Sequence, residues 1–306
     1  MYPATWYIGL DIHNHYIRAL AATKRRHGWQ FRHCWHYSLF NETSLFNETS
    51  SFSETPLLNK VPNTPISGGW LQYPEKLRKI LTQWRQILPN KVKLRLALPV
   101  QQTLQKQIPL PQHISLQEPE LGWFVRANAE KQFPTTDLAL DYRVHGQQIC
   151  ISATRQKDLN FWLSLLTEIG LSPDAIDIAP CALRYVAELA GIPGNSWLVH
   201  QRKTDWLWLA PSSLPFSYGL ISTQSHASLT QVINQLPITP GRENYPIYYS
   251  DEQSTSPTPI KQQAAPAESV QVWHLLSAFC HYQPPIPENM GAFMIAAGLA
   301  LRPDDQ

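Results

Sequence analysis

Hydrophobic and polar positions in the first part of the chain predict three strands in quick succession. Residues 6–12 form a mostly apolar run of strand length, and residues 16–23 form a second run after a polar turn. His27-Gly28 then turns the chain into a third run, residues 29–38. Such short connections favour an antiparallel meander. The same pattern returns at residues 196–200, 206–210 and 216–221.

Helical spacing and further strands follow each predicted meander. Apolar residues spaced as on one face of a helix predict helices at about 73–88, 118–133, 156–169, 180–190, 225–236 and 288–301. Strands are predicted at 93–98, 105–110, 138–144, 147–153, 175–178 and 245–250. A meander followed by helices and strands, twice over, predicts an α/β architecture with two related lobes.

A low-complexity segment interrupts the first half of the chain. Ser38-Leu-Phe-Asn-Glu-Thr43 is repeated verbatim at residues 44–49 and imperfectly at residues 50–55. Three copies of a six-residue unit are too few for a solenoid. We therefore expect residues 39–69 to be a mobile surface insertion and the polar stretch 251–268 to be a second loop.

Composition and charge exclude several classes of protein. The chain has 306 residues, of which 43% are hydrophobic and 16% are charged, so it can bury a sizeable core. Its 25 Lys and Arg against 23 Asp and Glu give a net charge of +2, which excludes a strongly basic surface for nucleic acid. Its four cysteines lie far apart, which argues against a disulfide framework or a structural zinc site. Neither a basic leader nor a long apolar run is present, so we expect a cytoplasmic protein.

An ordered series of short segments carries a family resemblance. The series is Ile8-Gly-Leu-Asp-Ile12, Tyr16-Ile-Arg-Ala-Leu20, Gln107-Ile-Pro-Leu-Pro111, Glu130-Lys-Gln-Phe-Pro134, Leu140-Asp-Tyr-Arg-Val144, Ser152-Ala-Thr-Arg-Gln-Lys157, Leu166-Thr-Glu-Ile-Gly-Leu171 and Ala297-Gly-Leu-Ala-Leu-Arg302. In this order the segments resemble the PilM family, near its enterobacterial HofM branch. PilM proteins are cytoplasmic members of the type IV pilus alignment complex, and the HofM branch is linked to competence-like use of DNA as a nutrient.

The resemblance implies a fold and a partner. The fold would be the actin-like (ribonuclease H-like) ATPase fold, with two related lobes and a small inserted subdomain. Applied to this chain, the first lobe would cover 1–98 and 151–195, the inserted subdomain 99–150, and the second lobe 196–306. The partner would be the N-terminal cytoplasmic peptide of a PilN/HofN-like single-span protein. Association with the inner membrane would then be peripheral and would depend on that partner.

The resemblance also raises the question of ATP, because an actin-like site needs two glycine-bearing hairpins that reach the phosphates and acids that organise Mg²⁺. Asp11 keeps the first acid, but His13 and Asn14 stand where small residues would let the phosphates approach. The second hairpin carries His200 and Arg202 in place of an acid and a glycine. We therefore predict a degenerate nucleotide site with no catalytic residue and no ATP or Mg²⁺ cofactor. An actin-like ATPase with a weakened site stays open as the alternative.

A partner-peptide groove is expected on the 118–133 helix and the strand that follows it, because aromatic and Arg side chains suit peptide recognition. The candidates are Leu121, Trp123, Phe124, Arg126 and Leu138. The histidines show no convergent third ligand, so no metal site is predicted. The near-neutral charge and the lack of a known motif argue against direct binding of nucleic acid.

Overall fold

The structure, a computed structural model, describes residues 4–13, 16–39, 74–111, 116–133, 137–222, 228–238, 245–253, 270–282 and 286–304. The expected insertion at 39–69 lies outside these residues apart from Leu39. The expected loop at 251–268 lies outside them beyond Gln253, and so does Asn14.

Thirteen strands and six helices are found in the described part of the chain. The strands are β1 (Trp6–Ile12), β2 (Tyr16–Arg25), β3 (Gly28–Ser38), β4 (Val92–Leu98), β5 (Leu104–Pro109), β6 (Leu138–His145), β7 (Gln148–Arg155), β8 (Pro173–Ile178), β9 (Trp197–Gln201), β10 (Asp205–Leu209), β11 (Tyr218–Ser222), β12 (Ile247–Asp251) and β13 (Val270–Val272). The helices are α1 (Pro74–Ile87), α2 (Glu120–Gln132), α3 (Gln156–Glu168), α4 (Ala179–Leu189), α5 (Leu229–Gln235) and α6 (Met294–Leu301).

Two five-stranded sheets share one topology. The first has the order β3-β2-β1-β4-β8 and the second β11-β10-β9-β12-β13. In each sheet the first three strands form an antiparallel meander, and the last two join in parallel. The two related lobes predicted from the repeated pattern are therefore present, and they are called the first and second lobe below.

A third sheet, with the order β5-β7-β6, is inserted in the first lobe and packs one face against α2. The inserted subdomain was expected to end at residue 150, but this residue lies inside β7. The third sheet instead continues to Arg155, because β7 pairs with β6 along its whole length. The other proposed boundaries, at 98 and 195, stay predictions.

Two helices begin later in the chain than the apolar periodicity predicts. The helix expected from residue 225 begins at Leu229, because Ser228 forms a capping box with Gln231. The helix expected from residue 288 begins as a 3₁₀ turn, Met290–Phe293, and becomes α-helical only at Met294.

The core between the lobes is built on small residues. Helices α4 and α6 lie between the two five-stranded sheets, and every residue of α6 is buried. A Cβ atom added to Gly298 would lie 2.0 Å from the carbonyl oxygen of Ala182 in α4. One added to Gly9 in β1 would lie 1.9 Å from the carbonyl oxygen of Ala296. Only glycine permits these two close approaches.

Candidate functional site

Strand alternation directs polar residues from both lobes into the space between them. In β1, Ile8 and Leu10 pack under α1 and α3, so Gly9 and Asp11 point to the opposite face. In β2 the same alternation places Arg18 on the face of Leu20, which belongs to the core between the lobes. These faces are apolar along most of the two strands, but next to the β1–β2 turn they carry the charged residues Asp11 and Arg18.

The second lobe repeats this arrangement. Trp197 and Val199 of β9 pack on the α5 side, whereas Leu198 and His200 face the first lobe. His200 is buried, and its Nδ1 lies 3.0 Å from Oγ of Ser250 in the neighbouring strand β12. The two lobes therefore bring equivalent strand ends face to face.

An ion pair joins these two strand ends. Arg18 donates from Nη1 to Oε1 of Glu252, just after β12, at 2.5 Å, and to the carbonyl oxygen of Ala292 at 2.9 Å. Oε2 of Glu252 accepts the backbone N–H of Lys203, in the β9–β10 turn, at 3.2 Å. Both charged side chains are about nine-tenths buried. Arg18, Glu252, Arg202, Asp205 and Asp11 are called the interlobe cluster below.

The rest of this cluster is a second ion pair and a single acid. Arg202 donates from Nε to Oδ1 of Asp205 at 2.6 Å, and both residues are buried. Asp11 is buried beside the two guanidinium groups of Arg18 and Arg202, which favour its ionised form, but burial outweighs them and raises its carboxyl pKa to about 6. Burial and the same two cations lower the pKa of His200 to about 3.

His13 lies at the edge of the interlobe cluster rather than inside it. Its ring stacks on Tyr16 with centroids 4.9 Å apart, and the guanidinium carbon of Arg18 lies 3.7 Å from the centroid of the Tyr16 ring. The structure thus brings together four of the five predicted nucleotide-site residues, and the fifth, Asn14, lies outside the described residues.

A nucleotide phosphate does not fit the β9–β10 turn as it stands. The backbone N–H of Lys203, which could donate a hydrogen bond to a phosphate oxygen, already donates to the Glu252 carboxylate. A phosphate at this place would also meet the like charge of that carboxylate and of Asp205.

A second concave site lies where the third sheet meets the first lobe, and it is called the junction cavity below. It has a volume of about 230 Å³. One wall is the face of the third sheet turned away from α2, and the others come from β8, α3 and the second lobe. The residues that line these walls include Ala139, Arg143, Leu159, Asp177 and Phe216.

Three charged side chains line the junction cavity, Asp141, Arg143 and Asp177. The guanidinium carbon of Arg143 lies 4.2 Å from the centroid of the Phe216 ring, and Nη2 lies 3.6 Å from Sγ of Cys181. Asp177 is already engaged, since it accepts hydrogen bonds from Tyr185 at 2.5 Å and from Arg302 at 3.1 Å. Arg143 and Asp141 are therefore the two exposed charges on the wall formed by β6.

The five residues predicted for the peptide groove are not among those that line the junction cavity. Trp123 is 66% exposed on α2, and Arg126 is exposed beside it, whereas Leu121 and Phe124 are half-buried. Leu138 is buried in the core between α2 and the third sheet. A groove on α2 stays a prediction, and Leu138 would contribute to it only through packing.

Sequence reasoning missed Arg18, Glu252 and the residues of the junction cavity. Arg18 stood in the sequence as a polar residue inside an apolar strand, which is a signal for a buried partner. Glu252 and the cavity gave no local signal, because their partners are far away in the chain.

Among the described residues, no three His, Cys, Asp or Glu side chains are grouped so that they could hold a metal ion. In the same residues, no helix is long and apolar enough to cross a membrane.

Known proteins are similar to this chain over most of its length. No family model matches the chain. The DNA utilization protein HofM of Escherichia coli K12 is 25% identical over 243 residues, which cover 78% of this chain and 83% of HofM. The PilM–PilN type IV pilus biogenesis complex contains a chain that matches with a TM-score of 0.63 at 14% identity, over 98% of both chains.

A further solved structure has a similar fold. The cytoplasmic domain of EpsL, an inner membrane component of the type II secretion system of Vibrio cholerae, matches with a TM-score of 0.55 at 10% identity, over 95% of this chain and 94% of that one. These likenesses and the duplicated sheet topology establish the actin-like fold predicted from the sequence. The resemblance to the PilM family, near its HofM branch, is therefore confirmed.

Proposed function

We propose that this protein is a non-enzymatic cytoplasmic scaffold of an inner-membrane complex of the type IV pilus kind, serving DNA uptake and the use of DNA as a nutrient. Its ligand is the N-terminal cytoplasmic peptide of a PilN/HofN-like single-span protein, which also recruits it to the membrane. Two names support the proposal: the similar HofM is a DNA utilization protein, and the similar PilM occurs in a complex with PilN.

The junction cavity is the observation that carries the proposal. Its volume of about 230 Å³ is below the roughly 300–1,000 Å³ of typical small-molecule and cofactor pockets. It suits one or two side chains of a peptide. Apolar residues line most of it, and Arg143 offers donors to backbone carbonyl groups.

Two sheet edges border the same cavity. β6 is the outer strand of the third sheet, and β8 is the outer strand of the first-lobe sheet. An outer strand has backbone groups free to pair with an extended peptide, which is a common mode of peptide recognition. A peptide that enters the cavity can therefore gain main-chain hydrogen bonds as well as side-chain burial.

The interlobe cluster supports the non-enzymatic part of the proposal. Phosphoryl transfer needs metal-bound phosphates and a positioned nucleophile. Here the carboxylate of Glu252 is bound to the turn N–H, and Arg18 and Arg202 are each engaged by an acid. We therefore propose no ATP hydrolysis.

The test compares two equal substitutions on opposite faces of the inserted subdomain. Ala139→Trp fills the junction cavity, whereas Ala127→Trp adds the same ring to the exposed face of α2. Calorimetric titration with the partner's N-terminal peptide should show an affinity at least tenfold lower for Ala139→Trp and nearly unchanged for Ala127→Trp. In cells, Ala139→Trp should shift the protein from the membrane fraction to the supernatant.

The reverse pattern, a loss with Ala127→Trp alone, would place the groove on α2, beside Trp123 and Arg126. Peptide affinity that changes on addition of MgATP in the parent protein would restore the alternative, a nucleotide-dependent protein.

A further inference from the structure

The Glu252 carboxylate is held by groups that come from both lobes. Its Oε1 accepts a hydrogen bond from Arg18 on β2, and its Oε2 accepts the N–H of Lys203 in the β9–β10 turn. The backbone N–H of Glu252 donates to the carbonyl oxygen of Gln201. Glu252 thus belongs to the second lobe by its backbone, and its side chain reaches the first.

The groups around Glu252 form a site suited to a small anion. A guanidinium and a backbone N–H aimed at one buried position are the donors that carboxylates and phosphates prefer. Asp11 of the first lobe lies close enough to interact electrostatically with Glu252, with Arg18 and with the Arg202–Asp205 pair of the second lobe. His36 of β3 accepts a hydrogen bond from Nε of Arg18 at 3.3 Å.

We infer that this position is an anion site between the lobes, which the chain fills with its own carboxylate, and that this internal ligand holds the two lobes together. Arg18 links the lobes through two hydrogen bonds, one to Glu252 and one to the carbonyl oxygen of Ala292, in the turn before α6. Removal of the Glu252 side chain leaves Arg18 buried without its partner and an empty space of carboxylate size. A free carboxylate from solution can then enter and restore the link.

Chemical rescue tests this inference. Glu252→Ala should lower the Tm by roughly 5–10 °C in chloride buffer. Replacement of chloride by acetate at equal ionic strength should recover at least half of that loss, and phosphate should recover less because it is larger. Small-angle scattering should give a larger radius of gyration for Glu252→Ala in chloride than in acetate. The parent protein should respond to neither exchange.

Two control variants make the result specific. Glu168→Ala breaks the exposed pair that Arg78 and Glu168 form at 3.1 Å, and it should change the Tm little and show no rescue. Glu252→Gln fills the space without the charge, so it should lower the Tm and enlarge the molecule but resist rescue by acetate. If Glu252→Ala does not fold in chloride, recovery of folded protein on addition of acetate supports the inference. Loss of no more than the Glu168→Ala value, no acetate effect in Glu252→Ala, or an unchanged radius of gyration in Glu252→Gln would overturn it.

Discussion

The interlobe cluster and the junction cavity are both clefts between packed units, and they differ in what fills them. Between the lobes, five charged side chains are buried and four of them are paired with each other. At the junction, a space of about 230 Å³ stays open, with mostly apolar walls and the exposed charges of Arg143 and Asp141. A cleft that satisfies its own charges has little to offer a ligand, whereas an open and mostly apolar cleft with an exposed guanidinium has area and donors to offer.

A fold's usual site need not be the site that a given chain uses. Substitutions between the lobes should change stability, and substitutions at the junction should change binding. Three further experiments test this division.

The largest effect is expected from the close contact between the helices that separate the lobes. Gly298→Ala would bring a Cβ atom to 2.0 Å from a backbone oxygen of α4, and backbone cannot give way as a side-chain tip can. We expect a loss of about 3 kcal/mol or more in the free energy of unfolding, measured by urea denaturation.

The matched control is the same substitution in the inserted subdomain. A Cβ atom on Gly122 of α2 would lie 3.2 Å from the movable carboxylate of Glu118. Gly122→Ala should be neutral or stabilise by up to about 1 kcal/mol, because alanine favours helix. Equal losses in the two variants would contradict the tight packing between the lobes.

A smaller effect of opposite sign is expected from Asp11→Asn. The carboxyl pKa is 3.8 in model peptides and about 6 in the folded protein, so the folded chain holds the proton to higher pH. Stability from this group is full below pH 4 and falls as the pH rises to 6. Asparagine cannot ionise, so Asp11→Asn should be more stable than the parent by about 1–3 kcal/mol at pH 7, and the gain should vanish near pH 4.

Denaturation curves at pH 4, 5, 6 and 7 check this prediction. A variant less stable than the parent at pH 7 would mean that Arg18 and Arg202 stabilise the Asp11 carboxylate more than burial opposes it. The interlobe cluster would then need that negative charge.

The smallest effect on stability is expected at the junction cavity. Arg143→Met removes a cation from the face of the Phe216 ring, and such contacts at exposed sites are worth about 0.5–1 kcal/mol. The Tm should fall by a few degrees at most, while peptide affinity falls clearly. Arg143→Lys, which keeps the charge, should retain more of that affinity. A loss of unfolding free energy as large as that expected for Gly298→Ala would erase the distinction between the two clefts.

Much of the fold could be predicted because its signals are local. Alternation and short turns located β1, β2 and β3, and the repetition of this pattern revealed the second lobe. The start of α5 is placed too early because the polar residues before Ser228 give no periodic boundary, whereas the capping box of Ser228 with Gln231 sets the first helical residue at Leu229.

The sites could be predicted only in part, since they depend on contacts between distant segments. Asp11 and His200 are predicted because the resemblance to an actin-like site implies acids at these two places, and alternation then fixes the face on which they lie. Glu252 follows β12 in a polar stretch, and nothing near it in the sequence reveals Arg18 as its partner. The junction cavity joins β6, β8 and a residue of the second lobe, so it exists only in the folded chain.

The packing of α6 has a consequence for the order in which the protein folds during synthesis. Residues 294–301 lie against Gly9 in β1, and Arg95 of β4 donates to the carbonyl oxygen of Ala300 at 3.1 Å. After leaving the ribosome, β1 and β2 thus wait on the order of tens of seconds for the helix that covers them, at about 5–20 residues per second. Until then the face of β1 and β2 that α6 covers is exposed, so the nascent chain passes through a vulnerable period in which a chaperone has an apolar surface to hold.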